Sequence, residues 1–349
     1  MNRTRLFVWV AVMLTGFGFK AEAQDVHFSQ YYANPVYLNP AYAGSYICPR
    51  IVTNFRMQWP NLSGKYTSYS ASYDQYFDKI AGGIGVLFVG DHAAGDIVHA
   101  NLSTFAASLI YSYRANLTRD KKNALLLGVQ ATYQQKHLSF EELTFGDMID
   151  SKYGFVYPTQ EYFPGYTRGL ADFSAGIAFY SERYYGGIAV NHFTQPKESF
   201  RDTAGNDARL PMKLTANFGT MIDLKKAMRT EKSVGDLSLS PNLIFHYQTR
   251  FGNGGVYTSL NYGMYFGCFP MMIGAWFRQG FENADAVIFL VGIEQKYLKI
   301  GYSYDFTIPS EKAVGKMTRT GGAHELSAIF YLPCPEKGPR IPKMNCPTW

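Results

Sequence analysis

The sequence predicts an all-β protein, a transmembrane antiparallel barrel of about fourteen strands with an irregular N-terminal segment and a short C-terminal tail. Three observations predict it. Between Ala284 and Phe306, Val287, Phe289, Val291 and Ile293 share one face, and after Gln295-Lys296 the alternation resumes with Leu298, Ile300, Tyr302, Tyr304 and Phe306. This period-two pattern describes strands apolar on one side, and the aromatics bunched at a strand end suit a membrane-interface girdle. The composition agrees: aromatic residues reach 16%, with 27 Tyr, 26 Phe and 33 Gly, while charged residues fall to 17%. Finally, long and short links between the strands alternate, apart from the rather long periplasmic link Lys225 to Asp236, as they do in barrels with external loops and tight periplasmic turns.

Residues 1–23 read as a signal peptide: Arg3 and Arg5 precede an apolar run from Leu6 to Phe19, and Ala21-Glu22-Ala23 forms a cleavage signal. No later stretch approaches the roughly 18 apolar residues of a membrane helix, so any crossing is made by strands. The net charge of +6 is dispersed, and no nucleic-acid partner is expected.

Residues 24–49 lack alternation and carry Asn34-Pro35 and Asn39-Pro40, which mark turns. Such a segment cannot sit in lipid with its backbone groups unpaired, which places it at or inside the barrel. Its run Phe28-Ser29-Gln30-Tyr31, then Asn34-Pro35, then Leu38-Asn39-Pro40-Ala41-Tyr42-Ala43-Gly44, followed by Arg56, Gln58 and Trp59, resembles the start of the PorP/SprF family of outer-membrane proteins. The resemblance implies an outer-membrane component of type IX secretion and gliding motility that assists secretion or surface retention of a partner. Implied partners are a secreted surface protein, periplasmic or secretion-machinery proteins, and outer-membrane lipids.

The barrel is expected over residues 50–332. Its strands run Arg50 to Trp59, Tyr66 to Phe77, Gly82 to Gly90, Asn101 to Arg114, Asn123 to Gln135, Gly169 to Ser181, Tyr184 to His192 and Pro211 to Leu224. They continue with Leu237 to Gln248, Gly255 to Phe266, Met271 to Gln279, the opening pair, and Ala323 to Leu332. Pro241 inside one strand predicts a bulge or a late start. Inward positions are polar or small, among them Arg56, Gln58, Gln130, Thr132, Lys213, Asn217, Glu294, Lys299 and Asp305.

No catalytic constellation emerges. The seven His lack metal-ligand spacing, no G-x-S-x-G or H-E-x-x-H occurs, and the Gly-rich stretches are not followed by helices. No catalytic, cofactor-binding or metal residue is assigned, and a non-enzymatic protein with no cofactor is expected. A porin-like channel for small solutes is the alternative reading. Two stretches are expected to contact protein partners. The basic turn with Lys225, Lys226, Arg229 and Lys232 would attract an acidic surface, and the loop with Tyr153, Phe155, Tyr157, Tyr162 and Phe163 offers exposed aromatics. In the tail, residues 333–349, Cys334 and Cys346 are expected to form a disulfide on the periplasmic side, with Cys48 and Cys268 as competing partners.

Overall fold

Strand alternation produces a closed wall in the computed structural model. It describes residues 25–334, apart from 47, 63–64, 95–100, 121, 140–145, 151, 153, 159, 161–165, 201–208, 225–236, 250–255, 269, 281–283 and 309–319. Fourteen long strands form it: β1 (Arg50–Gln58), β2 (Tyr66–Phe77), β3 (Gly82–Ala94), β4 (Asn101–Asn116), β5 (Ala124–Ser139), β6 (Tyr166–Tyr180) and β7 (Tyr184–Asn191). The circuit continues with β8 (Met212–Thr220), β9 (Leu237–Thr249), β10 (Val256–Cys268), β11 (Met271–Gly280), β12 (Ala284–Glu294), β13 (Leu298–Thr307) and β14 (Ala323–Tyr331). Each pairs antiparallel with its sequence neighbour, and β14 pairs back onto β1, from Arg50 against Tyr331 to Gln58 against Ala323. Closure leaves no sheet edge, so the backbone of the wall is satisfied without water.

The two faces of β12 and β13 separate as the alternation predicts. Phe289, Val291 and Ile293 point outward and are each 54% exposed, with Ile300, Tyr302 and Phe306 beside them. Ile288, Leu290, Lys299, Ser303 and Asp305 point inward and are buried.

Pro241 does not start or bulge its strand. β9 runs straight through it, and the interruption falls on the neighbouring strand. β8 pairs with β9 up to Gly219–Asn242, and the short piece Ile222–Asp223 resumes in the same register at Ile222–Leu239. Proline has no N–H to donate, so the ladder lapses opposite it. The Ser240 hydroxyl instead donates to the Thr220 carbonyl at 3.0 Å.

The disulfide expected between Cys334 and Cys346 needs correction. Cys334 is paired with Cys48, their Cα atoms 4.7 Å apart, and Cys346 lies outside the described residues. The register explains the partner: β1 and β14 meet at the barrel seam, which brings the residues flanking them together across 286 positions of sequence.

Candidate functional site

Residues 25–45 lie in the lumen, and nearly all of them are buried. Each Asn-Pro pair starts a short helical turn, Pro35–Leu38 and Pro40–Tyr42, with Asn in front and Pro at a first position where its missing N–H costs nothing. The Asn39 side chain accepts from the Ala41 N–H at 2.9 Å and donates to the Ile177 carbonyl on β6 at 3.2 Å. This segment packs Tyr31, Tyr32, Ala33, Leu38, Ala41 and Tyr42 against inward apolar residues that include Val52, Leu126, Ile288, Leu290 and Ile329.

Close approach is made possible by glycine. A Cβ added at Gly83, Gly128 or Gly176 would lie 2.0–2.2 Å from Ala43, Ala41 or Asn39 of the segment, too near for any side chain. These positions sit on β3, β5 and β6, where the wall makes room for the backbone of Ala43 and Ala41 and the side chain of Asn39.

The segment is held by a buried ionic latch. The Glu325 carboxylate on β14 accepts from the Ser29 N–H at 2.6 Å, the Gln30 N–H at 3.0 Å and Arg56 at 3.1 Å. On β13, Asp305 accepts from the Ser29 hydroxyl at 2.6 Å, Arg56 at 2.8 Å and Arg278 of β11 at 3.2 Å. The Gln30 amide donates to Ser303 and to the Glu325 carbonyl, and its oxygen accepts from Ser327. Two carboxylates face two guanidiniums, and Arg56, Asp305 and Glu325 are each 1% exposed. Buried charges persist only where they are paired and hydrogen-bonded, a condition this arrangement meets. Arg56 and Glu325 are also register partners across the β1–β14 seam, so the latch spans the barrel closure.

Further contacts follow the chain toward β1. Asn34 donates to Ser70 at 2.8 Å, the Tyr42 hydroxyl accepts from Asn217 at 2.7 Å, and the Gly44 N–H donates to Asp74, itself paired bidentately with Arg50 at 2.9 Å.

A second cluster holds the other end of the segment. His192, just past β7, stands between two carboxylates, its Nδ1 2.9 Å from Asp172 and its Nε2 3.0 Å from Asp25. Carboxylates at both ring nitrogens require both to be donors, which is the imidazolium. Burial opposes that charge, but Asp25 and the two hydrogen bonds outweigh it and push His192 up to about 9. Burial likewise disfavours the Asp25 carboxylate, yet His192 and Lys213 hold it well below the usual carboxylate range.

Beyond this cluster the lumen opens into a cavity of about 270 Å³ lined by residues of β2 to β8, Tyr66, Leu87, Asp91, Lys136 and Lys213 among them.

The structure brings most of the predicted motif together. Ser29, Gln30 and Arg56 join one network, Asn34, Asn39, Ala41, Tyr42 and Gly44 bond the wall, and Phe28, Tyr31 and Leu38 are buried among aromatics and aliphatics. Trp59 stands apart at the rim, in the left-handed region at φ 54°, its N–H donating to the Gly322 carbonyl at 2.8 Å. The partner-contact residues are scattered. Lys225, Lys226, Arg229, Lys232, Tyr153, Tyr162 and Phe163 lie outside the described residues, Phe155 belongs to a two-residue strand, and Tyr157 is exposed with its hydroxyl on Asp150. Glu325, Arg278, Asp74, Asp25 and His192 were not among the predicted site residues. Charges of both signs at inward strand positions were the available signal. Among the described residues, no group of three or more His, Cys, Asp and Glu side chains could hold a metal ion.

A closed antiparallel barrel whose lumen holds its own N-terminal segment defines a plugged membrane-barrel protein. The chain belongs to the PorP/SprF family, described as type IX secretion system membrane protein PorP/SprF, whose model matches residues 20–330. It is an outer-membrane protein. No curated protein matches it in sequence. Among solved structures it is similar to a Pseudomonas aeruginosa FadL homologue at 12% identity and TM-score 0.45, covering 84% of this chain and 92% of the other. It is similar also to the CymD monoaromatic hydrocarbon channel at 8% identity and TM-score 0.46, covering 91% and 96%.

Proposed function

We propose that this protein is a non-enzymatic platform of the type IX secretion system that assists secretion or surface retention of a partner protein. Family membership supports the system, and one observation favours a platform over a solute channel: residues 25–45 occupy the lumen and are fastened to it by the buried latch. Binding would then fall to the rims. The exposed Tyr157 belongs to the long β5–β6 link proposed to meet cargo, since aromatics are enriched at interface centres. The basic stretch from Lys225 to Lys232 is proposed to meet an acidic periplasmic partner.

Deleting the gene and assaying surface proteins tests the reading. We expect loss of at least one secreted surface protein with small-solute uptake unchanged. Normal display of every secreted protein together with reduced uptake would establish the channel instead.

A further inference from the structure

The lumenal cavity carries an imbalance that the plug does not resolve. Its cations are matched: Lys136 pairs with Glu198, while Lys213 and His192 share Asp25, with Asp172 on the far side of the imidazole. Asp91, on the inward face of β3, has no cation within salt-bridge distance among the described residues. It accepts a hydrogen bond from the Tyr66 hydroxyl at 2.9 Å. An ammonium placed beside it would be attracted without displacing a salt-bridge partner, since Lys136 acts on Asp91 only from beyond salt-bridge distance.

The surrounding wall specifies what carries that cation. Leu87 and Val89 stand below Asp91 on the same face of β3, and Leu102 and Leu210 also line the space. Beside Leu87, on the adjoining strands β4 and β5, Ser108, Thr132 and Gln130 form a hydrogen-bonded polar strip. Asp91 lies toward the rim opposite the chain ends, with Leu87 and Val89 deeper and Leu102, level with Ala93, nearer the rim. A lysine or arginine side chain reaching in from that rim would lead with its charge and pass Asp91. A free amine with its body directed inward fits the order of groups.

We propose that this cavity binds a small primary amine carried on a body with one apolar and one hydrogen-bonding side, its ammonium held by Asp91. The site is independent of the secretion reading, since it rests on the cavity and its charges alone. A volume of about 270 Å³ limits the ligand to a small molecule.

Tyramine is a suitable probe, and tyrosol, with a hydroxyl in place of the amine, is its neutral match. Calorimetric titration of the full chain in detergent micelles should show saturable tyramine binding, one per chain, with tyrosol weaker by about tenfold or more. Asp91→Asn should lose about tenfold for tyramine while leaving tyrosol unchanged. Leu102→Trp, which fills the cavity and keeps the charge, should abolish both. A capped tripeptide with a central lysine should bind more weakly than tyramine. Equal binding of tyramine and tyrosol, no binding of tyramine to the parent chain, or full binding by Leu102→Trp would each overturn the proposal. Tighter binding of the lysine peptide would overturn the free amine in favour of an inserted side chain.

Discussion

Besides the Asp74–Arg50 pair that takes the Gly44 N–H, charge holds the plug at two places near its start, and those two are built differently. At Ser29-Gln30, carboxylates on β13 and β14 take backbone N–H groups and two guanidiniums in a site closed to water. At Asp25, the hold passes through His192, which lies beyond the end of β7, and through Lys213 at 3.4 Å. The first joins carboxylates and guanidiniums from four strands, β1, β11, β13 and β14, and belongs to the wall itself. The second depends on the one side-chain type whose ordinary titration falls near neutrality. A segment fastened to the wall at one point and through a titratable imidazole at another can loosen from one end without leaving the barrel.

The largest expected effect comes from breaking the first hold. Glu325→Ala leaves Arg56 partly unpaired and two buried N–H groups without acceptors, and should destabilise the protein by about 3–5 kcal/mol. Guanidinium unfolding monitored by the mobility of the folded barrel measures it. Asp25→Asn should cost much less. Equal losses for the two variants would abolish the distinction between the holds. As a scale for wall damage that touches neither, Val291→Arg on the lipid side should cost about 2–4 kcal/mol if near the midplane.

A smaller effect sharpens the contrast between the filled and open parts of the lumen. At Gly128 an added Cβ meets the backbone of Ala41 at 2.2 Å, so Gly128→Val should destabilise by about 1–3 kcal/mol through overpacking. Ala106→Val, which points into the cavity, should be nearly neutral in the same assay. A neutral Gly128→Val would show that the segment yields easily there.

The wall was legible from sequence because a strand with one lipid face writes its structure locally, every second residue. All fourteen strands could be read; the largest extensions were at outer ends, while β8 stopped short at its inner end, at Thr220 rather than Leu224. β3 continues to Ala94 and β5 to Ser139, past expected ends at Gly90 and Gln135. Alternation fades there because residues such as Gln134, Gln135, Lys136 and His137 are polar on both faces. The plug was legible as an irregular segment and a motif, but its contacts were not, since Ser29 meets Glu325 across 296 residues and no local pattern encodes that separation. One clue was present and unused. Ile288 and Leu290 are apolar on the lumen side, which a water-filled barrel would not favour and which packing against the plug explains. Cys48 was likewise only one of several candidates, because the seam that brings it to Cys334 exists only once the barrel closes.

The smallest effect is the most specific. His192 titrates at about 9 in the folded protein, above its ordinary value of about 6.5. A raised value means its contribution is complete below about pH 6.5 and is lost as the pH rises through about 9. Asp25 is shifted the other way, so its contribution holds through neutrality and fades only in acid, below its ordinary range. Between them the tether should be strongest from weakly acidic to neutral pH and should slacken on the alkaline side. Hydrogen exchange reads this directly when expressed as protection factors, which remove the intrinsic pH dependence. Protection at residues 25–28 should fall by about tenfold between pH 7 and pH 10, about 1.4 kcal/mol, because the Lys213 pair retains part of the hold. Ser29 and Gln30, bonded to Glu325, should keep theirs. His192→Gln should lower protection at pH 7 and flatten the alkaline fall. If residues 25–28 and Ser29-Gln30 lose protection together, the two clusters act as one unit and the plug has a single state of attachment.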